Sequence, residues 1–255
     1  MIILKSDQEV KKIAAACRIV VGALNELKKN IRVGITTGEL DRIAEEYIHK
    51  KGAKPAFKGY RGYPATLCTS INNEVVHGIP SNRRLAEGDI ISLDLGAILD
   101  GYYGDAALTL GVGKISSEAK RLLKVTEESL YKGIEEVRPG NRLGDISHAV
   151  QSCVEGAGFS VVFDFVGHGI GKNLHEEPQV PNFGPKGQGP RLREGMVLAI
   201  EPMVNMGGGA IRMLGDNWTA VTKDGSLSAH FEHTVAITDK GPLILSRLQG
   251  ETKHA

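Results

Sequence analysis

Four acids in this chain stand where an acid is costly. Asp94 follows Ile91-Ser92-Leu93, Asp105 precedes Ala106-Ala107-Leu108, Glu201 follows Leu198-Ala199-Ile200, and Glu232 lies just before Thr234-Val235-Ala236-Ile237. A single acid at a strand end is ordinarily solvated, but these sit within apolar strand-like runs. If Asp100-Gly101 is a two-residue hairpin turn, Asp105 lies opposite Gly96 and Asp94 opposite Ala107. Asp94 and Asp105 then share a face as diagonal neighbours roughly 7–8 Å apart, within joint reach of a small ion. Glu201 and Glu232 are expected to do the equivalent in a second hairpin, with Asp224-Gly225 as another hairpin turn.

Convergence of the four would have a consequence. Four anions make six pairs, each costing roughly 4 kcal/mol at 4 Å and an effective dielectric near 20. A domain stable by about 5–15 kcal/mol cannot absorb that, so protons or cations must neutralise the cluster. Two divalent ions would cancel all four charges and use the carboxylates as bridging ligands.

The elements that must position these acids occur twice. Ser6 with Glu9 forms a capping-box pattern ahead of a helically spaced apolar run from Val10 to Leu27. A second helix starts near Thr36 or Thr37, with Glu39 three residues after Thr36, and stops at Gly52. Helical patterns return over residues 119–137 and 143–158. Arg32, Gly34, Gly38 and Gly52 match Arg138, Gly140, Gly144 and Gly158 at an offset of 106. The run Arg84 to Asp94 resembles Arg191 to Glu201 at an offset of 107. A His-Gly-Ile triplet precedes each, at 77–79 and 168–170, so His77 and His168 belong to the repeat and sit in expected Gly-rich turns. His175 follows seven residues after His168. The chain therefore reads as one catalytic domain, 1–255, with a pseudo-repeat over about 9–110 and 119–237. Its class is α+β, antiparallel sheets covered on one side by helices.

Composition narrows the function. The chain has 255 residues, 41 % apolar and 24 % charged, with a net charge of +1. No bulk nucleic-acid or membrane-surface binding is indicated, and no apolar run reaches the ~18 residues of a membrane span. The N-terminus is charged too early for a secretory signal, and three widely spaced cysteines fit a reducing compartment, so a cytoplasmic monomer is expected. Neither Gly-x-Ser-x-Gly nor His-Glu-x-x-His occurs. Gly167 to Asn173 lacks the spacing and terminal Ser or Thr of a phosphate loop.

Several strings carry a specific resemblance over essentially the whole chain: Gly59-Tyr60-Arg61-Gly62-Tyr63-Pro64, Ser70 to Pro80, Asp94 with Asp105, Gly167 to Gly171, His175-Glu176-Glu177-Pro178, Ile200-Glu201-Pro202 and Phe231-Glu232-His233-Thr234. Together they resemble the bacterial-type methionine aminopeptidases, of pita-bread (creatinase/aminopeptidase-like) fold. The resemblance implies hydrolytic removal of an initiator methionine from nascent polypeptides when the second residue is small. It implies metal ligands Asp94, Asp105, His168, Glu201 and Glu232 around two divalent ions (cobalt, manganese, iron or zinc). Asp105 and Glu232 would bridge, His168 and Glu201 would complete one site, and Asp94 the other. Glu201 would shuttle the proton, with His175 and His77 contacting the scissile peptide. Phe57, Tyr60, Tyr63, Cys68 and Trp218 match the lining of the side-chain pocket. A transient ribosome contact is expected of such a role.

Prolidases of the same fold carry a large domain ahead of the catalytic one; with the first helix starting within ten residues, no such domain is expected here. Non-enzymatic relatives tend to lose ligands that are all filled here. The eukaryotic type carries a long insertion where this chain has a gap of 26 between His175 and Glu201, and no zinc-binding N-terminal extension is expected either.

Overall fold

The structure is a computed structural model that describes residues 1–247; the last eight residues of the expected 1–255 domain lie outside the described residues. The first helix, α1 (Asp7–Asn30), starts where Ser6 accepts the Glu9 N–H and Glu9 accepts the Ser6 N–H. The same exchange between Thr36 and Glu39 starts α2 (Thr37–Lys50). Two more helices follow the same order in the second half, α3 (Ser117–Glu135) and α4 (Leu143–Gly156). The sequence pattern starts α3 two residues late, because its cap, Ser116, lies upstream of the first apolar position and accepts the Ala119 N–H.

Fifteen strands are described. Those of the first half are β1 (Lys54–Pro55), β2 (Leu67–Ile71), β3 (Glu74–Val76), β4 (Ile90–Leu99) and β5 (Tyr102–Gly111). The second half carries β6 (Ser160–Val161), β7 (Gly167–Gly169), β8 (Glu176–Val180), β9 (Val197–Ile200), β10 (Met203–Asn205), β11 (Ile211–Met213), β12 (Ala220–Thr222), β13 (Ser228–His230), β14 (Glu232–Thr238) and β15 (Gly241–Ile244). Nine of them form one sheet, ordered β1-β4-β5-β14-β9-β7-β8, with β2 also on β4 and β15 also on β14. Two three-stranded sheets, β13-β10-β6 and β11-β12-β3, complete the α+β architecture.

The centre of the large sheet is β4-β5-β14-β9, two strands from each half with β5 against β14. These strands pair antiparallel throughout. Helix α1 lies across β4 and β5, while α3 packs on β14, β9 and β5. The approach of α1 is close: a Cβ on Gly104 would come within 2.4 Å of the Cys17 backbone nitrogen. Leu24, Leu27, Leu93 and Leu95 fill the interface on one side, and Leu130, Ile134, Leu198 and Ile200 on the other, in one buried cluster. The opposite face of the central strands is left to the site.

Of the two expected hairpin turns, one forms and one does not. Asp100-Gly101 does close a tight hairpin, with Leu99 paired to Tyr102 and both turn residues at positive φ, 49° and 77°. Asp224-Gly225 does not close one: β12 pairs with β11 and β3, and β13 with β10. The carboxylate of Asp224 accepts the N–H groups of Gly208 and Ser226 and so folds a crossing between two sheets. Among the described residues no helix is long and apolar enough to cross a membrane.

Candidate metal centre

Strand pairing alone brings the acids together. Asp94 on β4 pairs with Ala107 on β5, and Ala107 with Glu232 on β14. On β14, His233 pairs with Ile200, so the next residue along, Glu201, stands beside Glu232 at the end of β9. Cys68 on β2 extends the row, paired with Asp94. Residues paired across a sheet point to the same face, so Cys68, Asp94, Ala107, Glu232 and Glu201 form one transverse row. The adjacent row on that face, two residues along, holds Gly96 paired with Asp105, then Thr234, then Ala199 paired with Thr234 and with His168. At its middle β5 and β14 are joined through a side chain: the Thr234 hydroxyl donates to the Asp105 carbonyl at 2.8 Å.

Two expectations are corrected here. The second acid pair is not equivalent to the first: Asp94 and Asp105 are diagonal, whereas Glu201 and Glu232 lie side by side. His168 stands within the short strand β7, not in a turn. His77 does lie in a loop, at φ 62° directly after β3.

Little water reaches these groups. Asp105, Glu232 and His168 are 4 %, 2 % and 7 % exposed. One oxygen each of Asp94, Asp105 and Glu232 is buried without a hydrogen-bond partner. Burial pushes Asp94 up to about 7 and Glu201 up to about 8. Burial first, then neighbouring carboxylates, holds Asp105 and Glu232 well above the usual range. Burial likewise lowers His168 to about 3 and His77 to about 4, keeping both imidazoles neutral.

Unpaired buried acceptors beside neutral imidazole are what a cation would complete. Ligand atoms of Asp105, His168 and Glu232 lie within 4.8 Å of one another, so this buried group can coordinate metal. His168 Nε2 is 3.5 Å from Glu201 Oε1 and 4.0 Å from Asp105 Oδ2. The residues fit a metal centre of oxygen and nitrogen donors.

The acids form the floor of a cavity of about 260 Å³. All twelve residues singled out in the sequence line it: the four acids and one histidine of the floor together with His77, His175, Phe57, Tyr60, Tyr63, Cys68 and Trp218. The Tyr63 hydroxyl donates to Leu67 and Gly78 carbonyls, and the Trp218 ring meets Tyr63 edge-on at 5.1 Å. His77 stands edge-on to Phe165 and Trp218. The Tyr60 hydroxyl lies 2.7 Å from His175 Nδ1. Phe57 rests on the sheet at Gly96, where a Cβ would come within 2.7 Å of its ring.

Sequence reading missed Phe165, Leu174 and Arg61, which also line the cavity, and His230. His230 is 1 % exposed, its Nε2 has no hydrogen-bond partner, and it lies 3.6 Å from Glu201 Oε2. Its position two residues before Glu232 was the available signal, although His230 ends β13 and Glu232 opens β14 in another sheet.

A curled antiparallel sheet with a buried carboxylate–imidazole cluster on its open side defines a metal-dependent hydrolase of the pita-bread class. Residues 11–239 match the model of metallopeptidase family M24. Methionine aminopeptidase 1 of Bacillus subtilis is 57 % identical over 248 residues, 97 % of this chain and 100 % of that one. The methionine aminopeptidase structure from Thermotoga maritima superposes with a TM-score of 0.96 at 49 % identity, covering 97 % and 100 % of the two chains. The prolidase structure from Pyrococcus horikoshii matches less well, with a TM-score of 0.80 at 26 % identity, and only 65 % of it is covered. The chain belongs to metallopeptidase family M24 and, within it, to the methionine aminopeptidases.

Proposed function

We propose that this chain is a metallo-exopeptidase that removes N-terminal methionine from nascent proteins and peptides, acting when the second residue is small. The carrying observation is the cavity itself: a carboxylate floor with unpaired oxygens at the end of a slot walled by Phe57, Tyr63, Cys68 and Trp218. Asp94, Asp105, His168, Glu201 and Glu232 would hold two divalent ions, with Asp105 and Glu232 shared; bound there, the ions supply Lewis-acid activation of water and of the scissile carbonyl. Carboxylate and imidazole suit manganese, iron, cobalt or zinc.

The chain's own groups do the rest. The apolar slot takes a straight thioether, which sulfur–aromatic contact favours. His175, lowered by burial and by nearby Arg61, is neutral at pH 7. With the Tyr60 hydroxyl donating to Nδ1, its Nε2–H is free to donate to the scissile carbonyl oxygen. His77 bonds the peptide nitrogen, and Glu201 carries the proton to the leaving amine. The two histidines crowd the residue after the scissile bond, which restricts it to small side chains. The whole chain acts as one catalytic domain of two related halves, as a cytoplasmic monomer visiting the ribosome.

The test is hydrolysis of Met-Ala-Ser before and after chelation, with single metals restored. Full turnover by a metal-free preparation overturns the two-metal reading. Faster release of N-terminal Pro or Lys than of Met overturns the specificity.

A further inference from the structure

The reaction needs His175 at a fixed place, yet its loop, 171–176, lies on the surface side of the cavity. What anchors that loop comes from the far end of the chain. Lys5 Nζ lies 2.6 Å from Glu176 Oε2, and the two side chains are only 4 % and 5 % exposed. Lys5 Nζ also donates to the Ile3 carbonyl at 3.0 Å, and Glu176 Oε1 accepts the Asn173 N–H at 3.1 Å. The Lys5 N–H is fixed in turn on the Gly195 carbonyl at 2.7 Å. Space for the pair exists only because residue 171 has no side chain: a Cβ there would come within 2.6 Å of Lys5 Cε and 2.8 Å of Glu176 Oε1.

Glu176 is placed to transmit this anchoring. It follows His175 in the chain, opens β8, and pairs with Gly169, the neighbour of His168. The register of β7 and β8 shifts at that step, so regular pairing alone does not fix the loop there. On the other side, Tyr60 holds the His175 ring through Nδ1. A buried ion pair is a poor source of stability, because desolvation offsets the attraction, and apolar residues of similar size would fill the space as well. Its distinctive product is a fixed geometry.

Building on the reading of His175 given above, we propose that Lys5 is a positioning residue for the peptidase reaction: its buried pair with Glu176 straps loop 171–176 to the N-terminal segment and so aims the His175 imidazole at the scissile bond.

The test is a double-mutant cycle on metal-loaded protein with Met-Ala-Ser as substrate. Wild-type turnover is the control; if it is absent, the proposed function fails and not this inference. Lys5→Met keeps the stem and removes the charge. The expected result is a fall in kcat of about tenfold to a hundredfold, the effect of misplacing a group by about 1 Å. KM and bound metal should stay close to wild type, and Lys5→Arg should restore most of the rate. In a His175→Ala background, Lys5→Met should cost little more, because the group it aims is gone. If Lys5→Met fails to fold, the paired variant Lys5→Met with Glu176→Leu, which leaves no lone buried charge, is carried through the same cycle. Unchanged kcat, or an equal loss with and without His175, overturns the proposal.

Discussion

The two halves of the molecule each contribute two acids to the floor of the site, to which the second adds His168, and different parts to its walls. Each sends two strands to the centre of the sheet and two acids to one face. In the first half, the acid-bearing strands β4 and β5 are joined by a two-residue turn. In the second half, β9 and β14 are separated by a segment that builds β10 to β13 and delivers Trp218 and His230. The first half has its own addition elsewhere, between α2 and β2, which carries Phe57, Tyr60 and Tyr63. On the proposed reading, charge-binding chemistry thus rests on the acids that each half supplies, and side-chain recognition on what each half adds. Regular strand pairing fixes the floor, while irregular segments can vary without disturbing it.

The largest effect should come from breaking the shared floor. Asp105→Ala and Glu232→Ala, one from each half, should abolish activity alike, and excess metal should rescue neither. A tripeptide assay with parallel metal analysis checks this, and a rescued Asp105→Ala would show the halves to be unequal. Next is Glu201→Gln, for which turnover should fall about 10²–10⁴-fold with KM little altered, as expected of a lost proton carrier. Steady-state kinetics on Met-Ala-Ser decide it, and an unchanged kcat would remove Glu201 from the chemistry.

Altering the added walls should give a milder and different loss. Trp218→Ala should narrow the preference for Met over Leu by about tenfold, the scale of one methylene's discrimination, while leaving metal content intact. A Met-X-Ser and Leu-X-Ser panel reads this directly; lost metal would mean that walls and floor are not separable.

The acids of both halves should also make the metal-free protein respond to pH in the same direction. Asp94 rises from 3.8 to about 7 on folding and Glu201 from 4.5 to about 8. The folded chain binds more protons than the unfolded chain between those values, so stability is greatest below about pH 4 for these groups and falls as pH rises toward 8. Denaturant midpoints of chelated protein across pH 4–8 test the sign, and added metal should flatten the decline.

The smallest effects concern how each half seats its helix. Gly104→Ala sets a methyl against the α1 backbone and should cost about 1–3 kcal/mol. Gly133→Ala, on α3, meets side chains rather than backbone, Val150 at 2.8 Å and Ile146 at 3.3 Å, and should cost less. Thermal unfolding of the two variants ranks them. Superposing residues 9–110 on 119–237, with Asp94 on Glu201 and Asp105 on Glu232, tests the proposed relation between the halves.

What could be read from the sequence was what is local or duplicated. Capping boxes at Ser6 and Thr36, the Asp100-Gly101 turn and the acids within apolar strands each carry their signal within a few residues. The rest depends on distant partners. Asp224-Gly225 looks like a hairpin turn, but β12 and β13 find their pairing partners in separate sheets. His230 has no counterpart in the repeat. The partner of Lys5 lies 171 residues away, and no periodicity reports such a pair.

The contact between Phe57 and Gly96 gives the slot a gauge behind its wall. Gly96 sits opposite Asp105, at the edge of the carboxylate floor, and the missing methyl there sets how far the Phe57 ring can settle. One added carbon would push the ring into the slot and shorten it, favouring substrates with a truncated first side chain. On the proposed reading of the slot, the length of residue it takes is thus adjustable from the sheet itself, with no wall residue and no proposed ligand substituted.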